Sequence, residues 1–166
     1  MGAVDKILGE DIEAEDAWFE TPEQAYSYAK DKASGQHVRV PEAEPVLLKD
    51  PEWAYYYMRE VLGGRSGGRR RLQWPEGEAL LAQHPSWAYR YANHVLKGPF
   101  PAGEAAILQH VMWSYRYAVT TMGKRWPEAE PLIARSKYAT DYLHTFPQAE
   151  AEWQALGYTS VLNDYE

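Results

Sequence analysis

Residues 75 to 100, PEGEALLAQHPSWAYRYANHVLKGPF, are followed at once by PAGEAAILQHVMWSYRYAVTTMGKRW, the same pattern written again 26 residues later. A chain that repeats itself at this interval is confined to architectures that use one small unit again and again. Further copies start at Pro41 (PEAEPVLLKDPEWAYYYMREVLGG) and Pro127 (PEAEPLIARSKYATDYLHTF), a degenerate one starts at Ile12, and a stub, PQAEAEW, starts at Pro147. The units run 12–40, 41–74, 75–100, 101–126 and 127–146, with 1–11 and 147–166 as terminal caps.

Each unit reads as two short helices. Helix A starts at a proline, whose missing N–H costs nothing at the first helical position. The fourth position is glutamate in every copy (Glu15, Glu44, Glu78, Glu104, Glu130, Glu150). A carboxylate there complements the helix dipole and is placed to accept a hydrogen bond from a tyrosine of an adjacent helix. Helix B opens at Thr21-Pro22, Asp50-Pro51 or His84-Pro85 and continues Trp-Ala-Tyr-x-Tyr-Ala. At 100° per residue its apolar positions cover an arc of about 200°, so the helix must be covered from two sides. Glycines 35, 63, 98 and 123 are the expected stops. An aromatic before the next proline (Trp74, Phe100, Trp126, Phe146) is expected to fold back on the following helix A. A hairpin of this kind cannot bury both faces alone. The expected fold is therefore all-α, an α-solenoid of about five stacked two-helix repeats in one domain closed by caps.

The pattern resembles the short tandem two-helix repeats of the form YAxxVLKGxFPxGE found in phage and bacterial proteins, over about residues 12 to 153. The resemblance implies an α-solenoid of phage-like origin and points to no particular catalytic activity. It implies a phage-encoded inhibitor of a host or defence protein, acting in the host cytoplasm.

Composition narrows the function classes. A formal charge of −7 argues against a general nucleic-acid binder. The chain has no cysteine, which removes thiol chemistry and Cys-based zinc sites and fits a reducing cytoplasm. No apolar run approaches the ~20 residues of a membrane span, and MGAVDK lacks a signal-peptide core. No nucleophile, base and oxyanion arrangement is readable, so a non-enzymatic protein without cofactor or metal is expected. His84 and His110 recur as helix starts, not as ligands.

Because packing accounts for the shared positions, recognition is sought where the units differ. Two departures supply candidate partner-binding residues. One is the insertion GGRSGGRRRLQW, carrying Arg65, Arg69, Arg70 and Arg71 among glycines, suited to an acidic protein or to phosphate. The other is the outward position inside Tyr-x-Tyr and the position one turn later. With neighbouring helices about 10 Å apart, Tyr56, Arg59, Arg90, Asn93 and Arg116 form a basic, partly aromatic patch. Four helix A segments hold eight acids against two bases, which predicts an acidic edge opposite a basic one. The expected partner is another protein, with nucleic acid engaged only through the Arg-rich loop and no membrane. The competing reading is a structural virion or assembly component that self-associates through its aromatic surfaces.

Overall fold

The computed structural model describes residues 19–63 and 72–158. Arg65, Arg69, Arg70 and Arg71, the cap 1–11, Glu15 and the end of the C-terminal cap lie outside the described residues. Among the described residues the protein is all-helical, with no strand. The α-helices are α1 (Pro22–Ala33), α2 (Glu44–Leu47), α3 (Pro51–Tyr56), α4 (Pro75–Ala82), α5 (Pro85–Arg90), α6 (Pro101–Ile107), α7 (Val111–Arg116), α8 (Glu130–Ile133), α9 (Ala139–Thr145) and α10 (Glu150–Ala155). None of them is long and apolar enough to cross a membrane.

Helix starts follow local chemistry. Thr21 caps α1 in a reciprocal capping box with Gln24, and Asp50 caps α3 by accepting from the Glu52 N–H. Helices α4 and α6 begin at Pro75 and Pro101, as the pattern predicts. Helices α2 and α8 begin three residues after their prolines, at Glu44 and Glu130. The reason is a second proline, Pro45 or Pro131, whose absent N–H removes the bond that would have closed the first turn. The earlier starts belong to the units with glycine in third position. A Cβ on Gly77 would come within 2.1 Å of the Trp74 ring, and one on Gly103 within 2.7 Å of Phe100. The preceding aromatics do fold back onto helix A, and glycine makes the room.

Helices α3, α5 and α7 each continue into a π-helical stretch: Tyr57–Val61, Tyr91–Leu96 and Tyr117–Met122. The wider winding begins each time on the second tyrosine of Tyr-x-Tyr. The stops differ from expectation at two places. Helix α1 is capped at Ser34, already in left-handed backbone (φ 48°) one residue before Gly35. Gly63 and Gly123 take left-handed backbone, but in the third unit Lys97 does so (φ 55°) and Gly98 does not.

Two aromatic contacts recur from unit to unit. The first tyrosine of Tyr-x-Tyr meets the ring that opens the next helix B: Tyr26 with Trp53, Tyr55 with Trp87, Tyr89 with Trp113 and Tyr115 with Tyr138, at 5.0–5.3 Å between centroids. The second tyrosine meets the aromatic before the next proline: Tyr57 with Trp74, Tyr91 with Phe100, Tyr117 with Trp126 and Tyr142 with Phe146, at 4.9–5.2 Å. Ring pairs of this kind contribute about 0.5–1.5 kcal/mol beyond area burial. Ala54, Ala88, Ala92 and Ala118 are fully buried, so small side chains set the close approach at the middle of the apolar arc. Ser114 replaces alanine there and donates to the Ile107 and His110 carbonyls, which removes the cost of its hydroxyl.

The repeated glutamate has the predicted partner. Tyr57, Tyr91, Tyr117 and Tyr142 donate their hydroxyls to Glu44, Glu78, Glu104 and Glu130 at 2.7–3.0 Å. The Tyr57, Tyr117 and Tyr142 hydroxyls also accept from a backbone N–H just before the unit's first proline, at Val40, Phe100 and Trp126. Each such tyrosine locks helix B to the start of helix A in its own unit, while its ring packs on the aromatic that closes the unit.

Candidate interaction face

Three first tyrosines of Tyr-x-Tyr, Tyr26, Tyr55 and Tyr89, end in a polar contact with the following unit. The Tyr26 hydroxyl donates to Glu60 at 2.6 Å, Tyr55 meets His94 Nδ1 at 3.1 Å, and Tyr89 meets the Thr120 hydroxyl at 3.1 Å. Glu60, His94 and Thr120 therefore occupy one structural position, seven residues after Trp53, Trp87 and Trp113. Beside this line lie the residues singled out from the repeat mismatches.

Arg90 lies over the Trp87 ring at 4.8 Å and Arg116 over the Trp113 ring at 5.4 Å. Both are exposed helix B residues three positions after their tryptophan, so one helix turn brings cation and ring together. A guanidinium laid on a ring keeps its N–H edge available to a second group. Tyr56, at the same position one unit earlier, is half-buried against Trp53 and Tyr26, with ring centroids 5.9 and 6.1 Å away. Asn93 is half-buried in the second π stretch.

Arg59 is exposed beside the Tyr55 hydroxyl, and both Arg59 and Arg90 bear on that phenol. The structure thus brings Arg59 and Arg90 to one place, around Tyr55 and His94. Arg116 lies one unit further along, and Tyr56 packs toward the preceding unit.

His94 and Lys97 belong with this group, although the mismatch positions did not include them. Burial, then Lys97, Arg59 and Arg90, push the His94 imidazole below its usual range. The available signal was the alignment of His94 with Glu60 and Thr120, the one member of that position that titrates near neutrality.

Among the described residues, four basic side chains elsewhere are ion-paired, whereas Arg135 and Lys137 lie over the Tyr158 and Tyr138 rings. Lys30 binds Glu60, Lys32 binds Glu42, Arg39 binds Glu44, and Arg125 binds both Glu130 and Glu152. Among the described residues no carboxylate forms an ion pair with Arg59, Arg90, Lys97 or Arg116. Nor does any cluster of three or more His, Asp or Glu among them have the geometry to hold a metal. The face offers cations and aromatic edges, which can recognise anions.

A cleft of about 380 Å³ lies at the other end of the chain, lined by Arg125, Pro127, Glu130, Pro131, Glu152, Leu156 and Tyr158. Its arginine is already committed to Glu130 and Glu152. Comparison with family models, with curated proteins and with solved structures finds no match for this chain.

Proposed function

We propose that the chain is an α-solenoid of about five two-helix units that binds another protein, without catalysing a reaction, through the outer face of its helix B row. The solenoid reading is supported by the recurrence of both ring contacts and of the tyrosine–glutamate bond along the chain. The binding reading rests on one observation: Arg59, Arg90 and Arg116 lie exposed on successive helix B segments, Arg90 and Arg116 seated on tryptophan rings, with no ion pair to a carboxylate among the described residues. In a chain of formal charge −7, an unpaired basic row is a local feature suited to an acidic patch on a partner. Arginine and tyrosine are also the side chains most often found as interface anchors. Action on a host or defence protein rests on the repeat resemblance alone.

Capture from a bacterial lysate compares the wild type with an Arg59→Ala, Arg90→Ala, Arg116→Ala triple variant and with an Arg65, Arg69, Arg70, Arg71 alanine variant. The triple variant loses a salt-sensitive partner that the wild type retains. An unchanged partner set in the triple variant would overturn the assignment of the face, and loss in the loop variant alone would move the site to the insertion.

A second reading, self-association as an assembly component, is favoured by Leu156, which is 64% exposed beside the terminal cleft. Mass in solution separates the two. A monomer at high concentration counts against self-association.

A further inference from the structure

Two arginines, a histidine and a lysine from two successive units gather around the Tyr55–His94 pair. The Tyr55 hydroxyl contacts His94 Nδ1 at 3.1 Å, and the Tyr55 ring packs on Trp87 at 5.3 Å. The other face of this assembly is Arg90, seated on Trp87 at 4.8 Å. Arg59 comes from the preceding helix B to the same hydroxyl. Lys97 closes the group from the end of the π stretch, in left-handed backbone that the adjacent Gly98 could have taken at lower cost. A cation is thus kept at the turn where a glycine would be easier to accommodate. The charged and titratable groups bearing on His94 are Lys97, Arg59 and Arg90, with Tyr55 as its hydrogen-bond partner.

A carboxylate carries one charge and two oxygens, which one guanidinium fork already satisfies. A phosphate monoester carries a charge of about −1.5 to −2 at neutral pH and three acceptor oxygens, enough to span two forks and an imidazole. We propose that Arg59, Arg90, His94 and Lys97 form a site for a dianionic phosphate monoester, presented as a phosphorylated side chain of the partner. This rests on the helix B face being the interaction surface and names its ligand chemistry. The ester oxygens bridge the Arg59 and Arg90 forks, and the imidazole takes up a proton as the anion arrives.

The test follows the His94 ring resonances by NMR across pH, assigned with His94→Gln, in the presence of phenyl phosphate or benzoate. Phenyl phosphate should raise the His94 midpoint by about half a pH unit or more, as an added opposite charge at hydrogen-bonding distance does, with benzoate moving it far less. An Arg59→Gln, Arg90→Gln variant, altered only at exposed side chains, should lose the effect. Equal shifts with both anions, or a shift that survives in the double variant, would overturn the site. A phosphopeptide should bind more tightly than inorganic phosphate, and equal affinity would overturn the assignment to a partner side chain. Arg116 lies outside this cluster. Loss of partner capture in Arg116→Ala without any phosphate response at His94 would therefore remove the phosphate site while leaving the wider face in place.

Discussion

The clamps at Glu104 and Glu130 are built to one plan and set in different surroundings. At Glu104 the carboxylate accepts from Tyr117, the tyrosine oxygen accepts from the Phe100 N–H, and helix α6 starts directly at Pro101. At Glu130 the same bonds are made with Tyr142 and the Trp126 N–H, but the carboxylate also accepts both arms of the Arg125 fork at 2.7 Å and the Trp153 indole N–H at 3.0 Å. Glu130 is only 5% exposed, whereas Glu104 is half-buried. The lesson is that one hydrogen-bond motif serves as a plain latch inside the array and as the hub of a buried charge network near its end. Glu44, with Arg39, repeats the second version near the other end of the described chain.

The sharpest way to break this comparison is truncation at the hub and at the latch. Glu130→Ala leaves Arg125, Tyr142 and Trp153 with a missing acceptor, and should cost about 3–5 kcal/mol in chemical denaturation, the range for breaking a buried pair from one side. Gly103→Ala should cost about 1–3 kcal/mol, because the new Cβ falls 2.7 Å from both Ala88 and the Phe100 ring and overpacks the interface. The alanines at the equivalent positions 43 and 129 sit where the helix has not yet begun. Glu104→Ala should cost about 1–2 kcal/mol: fully buried Tyr117 loses its acceptor, but truncating half-buried Glu104 opens that position to water. If Glu104→Ala proves as damaging as Glu130→Ala, the distinction between latch and hub fails.

The smallest expected effect is in pH dependence. Burial works to raise the Glu130 carboxyl, but hydrogen bonds from Arg125, Trp153 and Tyr142 outweigh it and hold the group below its ordinary value. The unfolded chain then binds the extra proton more readily, so this contribution is present above the unfolded carboxylate range near ~4.3 and is lost as pH falls through the lower folded value. Arg125→Gln should flatten the acid limb of the stability curve. His94 acts with the opposite charge and the same slope. Its folded value is depressed, so the unfolded state takes up the proton first and stability rises with pH up to the ordinary histidine range. His94→Gln should remove that slope, measured by midpoint denaturation at several pH values.

Much of this is readable in one dimension. The glutamate in fourth position and the second tyrosine of Tyr-x-Tyr lie 13 residues apart in three units and 12 in the fourth, and the hydrogen bond between them follows from two helices folded back on one another. The basic row was visible as mismatches at Arg90 and Arg116, because one residue per helix turn must face outward. The Lys97 cap was not, since a neighbouring glycine made the usual terminator available. The Arg125 fork was not either: an arginine two residues before a proline signals nothing until the turn at Pro127 swings it onto Glu130.

Sequence by itself determined the helical class, the unit and the partners made within a unit, because these depend on short spacings and on the periodicity of apolar side chains. Only the tertiary structure decided which cations are neutralised by a carboxylate and which are not. Arg125 and Arg59 are the same residue type on similar polar surfaces, and the difference between them is whether a carboxylate from another turn of the chain arrives within a few ångströms. That proximity is set by how units pack against one another, which no local spacing encodes.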